Sequence, residues 1–140
     1  METCIRQIQE TELDDLFKLV EQFSTSFVPD KELFQESIGH LLSDEAAFLR
    51  VAVLDGKLIG YCLGFDHYTL YANGRVSWLE EIMVAEAYRN QGIGKQLMDS
   101  FEDWTKSRQS RLIALATRRA ATFYKGLGYQ ESAVYFRKLL

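Results

Sequence analysis

Arg89-Asn90-Gln91-Gly92-Ile93-Gly94-Lys95 stands between two apolar segments of different character. Before it, Trp78 to Ala85 reads as a buried strand; after it, Ile93 to Thr105 carries the spacing of an amphipathic helix. Two glycines at a strand-to-helix junction allow a tight turn and let a ligand approach the main chain closely. The first N–H groups of a helix have no internal partner and carry partial positive charge. With Arg89 and Lys95 beside them, they make a pocket suited to a phosphate or pyrophosphate.

Spacing tests two familiar phosphate loops. A Walker A loop follows its second glycine with Lys and Ser/Thr. Here Gly94-Lys95 is followed by Gln96, and Arg89 stands where the first glycine belongs. A dinucleotide fingerprint needs a third glycine and an acid about 20 residues on. Position 97 is Leu97, and Arg108 to Arg111 holds no acid.

The pattern Arg-x-x-Gly-x-Gly resembles the coenzyme A loop of the GNAT superfamily of N-acetyltransferases. Leu79-Glu80-Glu81-Ile82-Met83-Val84 is similar to that family's acid-bearing central strand. Ala120-Ala121-Thr122-Phe123-Tyr124-Lys125-Gly126-Leu127-Gly128-Tyr129 resembles its late helix and closing glycine-aromatic pair. The three occur in the family's order and cover the chain from about Trp78 onward. One position departs: the family often has Asn where Thr117 stands, and Thr keeps a hydroxyl and its backbone groups.

The resemblance implies an acyltransferase that moves an acetyl group from acetyl-CoA to a primary amine of a small molecule or peptide. The cofactor side is then Ile82, Met83 and Val84 of the strand, the loop Arg89, Asn90, Gln91, Gly92, Ile93, Gly94 and Lys95, and Thr117, Ala120 and Phe123. Backbone groups of Met83 and Val84 are expected to pair with the pantetheine arm, and the Val84 N–H to polarise the thioester carbonyl. Family precedent makes Glu80 the general base, with Glu81 as runner-up or as holder of the acceptor's charge. Tyr124 matches the position that protonates the departing sulfur. Two other readings stay open: a non-catalytic coenzyme A-binding regulatory module of the same fold, and a nucleotide-binding protein of another fold.

Read from the residues alone, Glu80 and Glu81 point to opposite faces of their strand. Glu80 then shares a face with Trp78, Ile82 and Val84, and Glu81 with Leu79 and Met83. Both faces are apolar, so a poorly solvated carboxylate on either is expected to hold its proton to higher pH, as a base working near neutrality requires. Ala120, Phe123, Tyr124 and Leu127 make a helical stripe, in which Phe123 reads as core. Arg118, Arg119 and Lys125 form a basic cluster within reach of the nucleotide's extra phosphate or on a solvated face.

The rest of the chain has no motif of its own. Its 140 residues suit one domain, 1–140, with ordinary proportions of 47% hydrophobic and 26% charged residues. A net charge of -4 gives no footprint for nucleic acid. Cys4 and Cys62 are spaced for neither metal nor redox pair and read as reduced core cysteines, so no metal is expected. Met1-Glu2-Thr3 lacks the regions of a signal peptide, and no apolar run approaches the ~20 residues of a membrane helix, so a cytoplasmic protein without membrane contact is expected. A monomer and a homodimer are both compatible with the sequence.

Pattern and punctuation predict the order β-α-α-β-β-β-α-β-α-β(-β): an α/β, GNAT-like domain with a mixed sheet of six to seven strands flanked by four helices. Thr11 is the expected cap of a first helix whose stripe is Leu13, Leu16, Phe17, Val20 and Phe23 or Ser24. Pro29-Asp30 opens a second helix with Leu33, Phe34, Ile38, Leu41 and Leu42 on one face. Asp55-Gly56 marks a hairpin, with Ile59, Tyr61, Leu63 and Phe65 in phase on the returning strand and Gly60 and Gly64 on the other face. A nearly all-apolar strand, Arg111 to Ala116, is expected in the sheet interior, and Ser132 to Leu139 as the last strand or two.

Overall fold

The structure is a computed structural model describing residues 2–23 and 26–140. Ser24, one of two alternatives for the first helix's stripe, lies outside the described residues. The sheet has five strands in sequence order: β1 (Cys4–Arg6), β2 (Ala47–Leu54), β3 (Lys57–Tyr68), β4 (Arg75–Val84) and β5 (Ile113–Leu115). The first four pair antiparallel, and β5 lies parallel to β4. Asp55 and Gly56 both take positive φ (52° and 74°), the geometry a two-residue hairpin needs to match strand twist.

Two helices, α1 (Leu13–Gln22) and α2 (Lys31–Leu42), cover one face. Leu16, Leu19 and Ile38 bury there against Val51, Tyr61, Leu63 and Met83. On the other face lies α3 (Ile93–Ser107), with Ile93, Leu97, Met98 and Phe101 buried against Ala52, Cys62 and Leu79. The short α4 (Ala121–Gly126) joins this second core through Tyr124. Gly64 is what lets α3 approach: a Cβ at that position would overlap the Phe101 ring.

Several expectations change. Thr11 does not cap the first helix. A 3-10 turn, Glu10–Glu12, comes first, and the Glu12 carboxylate accepts from Gln9 N–H (2.9 Å) while bridging to Arg6. The stripe of α2 narrows to Phe34, Ile38 and Leu41, since Leu33 and Leu42 are exposed. Cys4 is exposed; only Cys62 is a core cysteine, its thiol pushed up to about 12 by burial.

The sheet has five strands rather than six or seven, and β5 stands at its edge rather than inside. Val134, Tyr135 and Phe136 are three consecutive apolar residues, so no extended register puts all of them on one face. Instead of running along β5, the C-terminal arm crosses the molecule. Tyr135 stacks on Trp78, and Arg137 donates to Ser26 Oγ at 2.9 Å.

Strict alternation also fails at two bulges. Between Ala52 and Val53 the pairing jumps from Gly60 to Leu58, leaving Ile59 as the extra residue. Leu58 and Tyr61 therefore share the α1/α2 face, while Ile59 joins the α3 face. Between Leu63 and Gly64 the partner jumps from Glu81 to Leu79, leaving Glu80 as the extra residue of β4. After it the phase reverses: Leu79, Ile82 and Val84 share the α3 core, and Met83 belongs to the α1/α2 core.

Candidate active site

The bulge at Glu80 sets the geometry of the site. Because β4 gains one residue there, Glu81 turns to the α1/α2 face with Met83 and meets Tyr61 from β3. The Tyr61 hydroxyl donates to Glu81 Oε1 at 2.7 Å. Glu81 is half-buried, and its pKa is raised by burial; the Tyr61 hydrogen bond opposes the rise, and the neighbouring Glu80 charge adds to it. Burial, with the same carboxylate beside it, drives the Tyr61 hydroxyl far above its ordinary value, so it stays a donor. Glu80 is exposed, and its Oε2 accepts from the Trp78 indole N–H at 2.5 Å. Both carboxylates line one cleft of about 1790 Å³, bounded by α1, α2, β5 and the C-terminal arm.

The bulge also coincides with the end of the β4–β5 ladder. The two strands pair from Ser77–Ile113 to Leu79–Leu115 and no further. From Glu81 to Val84, β4 pairs with β3 on one side and with no strand of the described residues on the other. Main-chain groups of Ile82 and Val84, which alternate with the β3-facing groups of Met83 and Ala85, thus face a gap where the sheet opens. An unpaired strand edge binds an extended, amide-bearing chain by the same pattern that adds a strand.

At the far end of that gap lies the glycine loop. Gly92 takes φ 83° at the N-cap of α3, which a side chain would strain, and a Cβ there would meet nothing within 4 Å. Asn90 also has positive φ (62°). Gly94 faces Phe123, whose ring would lie 3.3 Å from a Cβ at that position. The side chains of the loop are engaged within the protein: Arg89 Nε donates to the Val84 carbonyl (2.9 Å), and Lys95 pairs with Asp99 (2.8 Å). What the loop offers an anion is therefore chiefly the first-turn N–H groups of α3, Ile93, Gly94 and Lys95 among them.

Across the gap, Thr117 Oγ1 accepts from Ala120 N–H (3.0 Å), holding the turn before α4. This local bond takes residues 118–120 into a turn, so the helix begins at Ala121 rather than Arg118. Tyr124 is 7% exposed and lines the cleft. Its hydroxyl makes no hydrogen bond with the described residues, and burial pushes its pKa up to about 12. Phe123 is not core: it is 37% exposed and meets Tyr124 edge-on with centroids 5.0 Å apart. Tyr129 braces α4 on α3, donating to Glu102 Oε2 at 2.8 Å. In the basic cluster, Lys125 pairs with Glu131, and Arg118 and Arg119 are exposed.

The residues singled out in the sequence thus fall around one gap and one cleft. Sequence reasoning missed Tyr61, the partner of Glu81, and Tyr135, the partner of Trp78. The only signals were a tyrosine in phase on a strand 20 positions away and an aromatic in a weak terminal pattern.

Residues 7–129 match the family described as Acetyltransferase (GNAT) family. The chain belongs to that family. It is 27% identical over 115 residues to an aminoalkylphosphonate N-acetyltransferase of Salmonella typhimurium, an alignment spanning 79% of this chain and 75% of the relative. It is also 27% identical over 143 residues to an aminoglycoside N(6')-acetyltransferase type 1 of the same organism, covering 96% and 97%. Among solved structures, the fold matches a transcriptional regulator from Bacillus halodurans (TM-score 0.87, 22% identity, 99% and 100% covered). It also matches AAC(6')-Iy in complex with a bisubstrate analog (TM-score 0.82, 24% identity, both chains fully covered). The family and the curated relatives make this GNAT chain an N-acetyltransferase. Among the described residues, no helix is long and apolar enough to cross a membrane and no cluster of side chains could hold a metal ion.

Proposed function

We propose that residues 1–140 act as one N-acetyltransferase domain that transfers an acetyl group from acetyl-CoA to a primary amine of a small molecule or peptide by direct attack. The observation that carries this reading is the unpaired edge of β4 between Glu81 and the start of α3. One end of that edge adjoins a half-buried carboxylate, and the other adjoins first-turn helix amides. An acyl-CoA needs both: an anion site for its diphosphate and a strand-like edge for its pantetheine amides. The relatives' names point the same way, since an aminoglycoside and an aminoalkylphosphonate are both amines.

In this reading the loop Arg89–Lys95 receives the diphosphate on the amides after Gly92. The edge of Ile82, Met83 and Val84 holds the pantetheine, with Thr117, Ala120 and Phe123 bounding its other side. The amine nitrogen attacks the thioester carbonyl carbon, and the C–S bond breaks. The Val84 N–H stabilises the negative charge developing on the carbonyl oxygen. Of the two carboxylates, burial and the Tyr61 bond favour Glu81 as the base that takes the amine's proton. Exposed Glu80, ahead of it in the expected order of candidates, is better suited to hold the incoming ammonium at the cleft. Tyr124, with a hydroxyl otherwise unbonded, gives its proton to the departing thiolate. Pairing the two substrates in one site is worth about 7–11 kcal/mol in favourable cases.

The test is direct binding of acetyl-CoA by calorimetry together with thiol release on adding an amine. Gly92→Val should weaken acetyl-CoA binding at least about tenfold, because a β-branched residue resists the left-handed backbone. Unchanged affinity in that variant would remove the loop from the site.

A further inference from the structure

The acceptor side of the cleft is lined with flat apolar surface around its two acids. Phe27 and Tyr71 are 70% and 75% exposed, and both line the cleft with Phe23. Trp78 and Tyr135 stack with centroids 6.1 Å apart and planes 20° from parallel. The Trp78 indole also donates to Glu80, so the stack is tied to a carboxylate. Arg137 bonds Ser26, which draws the C-terminal arm toward the segment carrying Phe27. One cleft thus carries Phe23, Phe27, Tyr71, Trp78 and Tyr135 together with Glu80 and Glu81 in its lining. Aromatic rings left exposed together are stabilised by covering them, and their faces attract cations.

We propose that the acceptor is a primary amine carried on a flat aromatic body through a short alkyl spacer, an arylalkylamine, with Trp78 and Tyr135 as specificity-determining residues. The proposal rests on the acetyl-transfer reading above and names the substrate class of the same site. The ammonium goes to Glu80 and Glu81; the ring goes against Trp78, Tyr135 and Tyr71. A polyhydroxylated amine gains less here, because the exposed rings of Phe27, Tyr71 and Tyr135 offer its hydroxyls no hydrogen-bonding partner over their faces.

The experiment measures binding and turnover separately, using tryptamine, ethanolamine and neamine as probes on the full chain. Calorimetry first records acetyl-CoA binding; its absence would sink the acetyl-transfer reading itself. Binding of each amine is then measured with coenzyme A present, and thiol release with acetyl-CoA. Tryptamine is expected to bind at least about tenfold more tightly than ethanolamine or neamine and to lead them in kcat/KM. Tyr135→Ala, a change at an exposed arm position, should raise the KM for tryptamine about tenfold and that for ethanolamine much less, with the affinity for acetyl-CoA near wild type. Equal or better binding of either polar amine would overturn this inference while leaving acetyl transfer intact. So would equal losses for tryptamine and ethanolamine in Tyr135→Ala.

Discussion

The two ends of β4 solve the problem of charge in a sheet in opposite ways. At the end nearer Arg75 the strand is paired on both sides, and a buried acid is sealed by arginines. Asp66, 5% exposed on β3, takes both Arg108 Nε and, at 3.0 Å, Arg108 Nη2 from the end of α3. Arg75 stands 3.9 Å away and donates to the Arg108 carbonyl. At the end nearer Val84 the strand is paired on one side, and Glu81 has a tyrosine hydroxyl instead of a cation. A carboxylate whose oxygens are both taken by guanidinium groups has no free lone pair aimed at a substrate and is of little use as a base. A half-buried carboxylate with a neutral donor is costlier to ionise and holds its proton to higher pH, which suits it to act as a base. The same strand thus holds a lock at one end and a reactive opening at the other, with the Glu80 bulge between them.

The largest effect that would sharpen this comparison is on turnover. Glu81→Gln should lower kcat with the preferred amine by roughly 10²–10⁴-fold while acetyl-CoA affinity stays near wild type, and Glu80→Gln should cost far less. If steady-state kinetics reversed that order, the buried carboxylate would lose its assigned role.

Next in size is the lock. Asp66→Ala strands Arg108 against the sheet and should cost about 3–5 kcal/mol in urea unfolding, with kinetic constants of the surviving folded fraction little changed. A loss of catalysis without a loss of stability would show that the two ends are not separate.

The bulge region itself is probed by Gly64→Ala. The added methyl meets the Phe101 ring and should destabilise the protein by about 1–3 kcal/mol, again measured by denaturant unfolding.

The subtlest test concerns pH. A base must be ionised to act, so kcat/KM should rise with pH as Glu81 loses its proton, and burial moves that rise upward. The Tyr61 hydroxyl stabilises the ionised form. Tyr61→Phe removes that help, raises the Glu81 pKa further, and should move the acid limb of the kcat/KM profile to higher pH. A limb that stayed put or moved down would exclude Glu81 as the titrating group.

The glycine loop, the acid-bearing strand and the tyrosine helix were legible because each is a local pattern. Positive φ at Gly92, the amphipathic stripe of α3 and the Asp55-Gly56 hairpin follow from neighbours in the chain, and each holds in the structure. Alternation misled where it was extended past a bulge. Counting puts Glu80 and Glu81 on opposite faces, Glu81 with Leu79, but the extra residue in β4 resets the count and separates Glu81 from Leu79. The last strand failed for a related reason: its weak alternation needed a partner edge, and the arm takes its contacts from Trp78 and Ser26 instead.

By itself the sequence determined the order of the elements as far as α4, the anion-ready turn and the short list of acids and hydroxyls, since these depend on backbone preferences and spacing within a few residues. Only the tertiary structure decided which carboxylate lies beside Tyr61, where β4 and β5 part, and that Tyr135 closes on Trp78. Those relations join residues 20 to 60 positions apart through strand register and packing, and one inserted residue in a ladder is enough to reverse them.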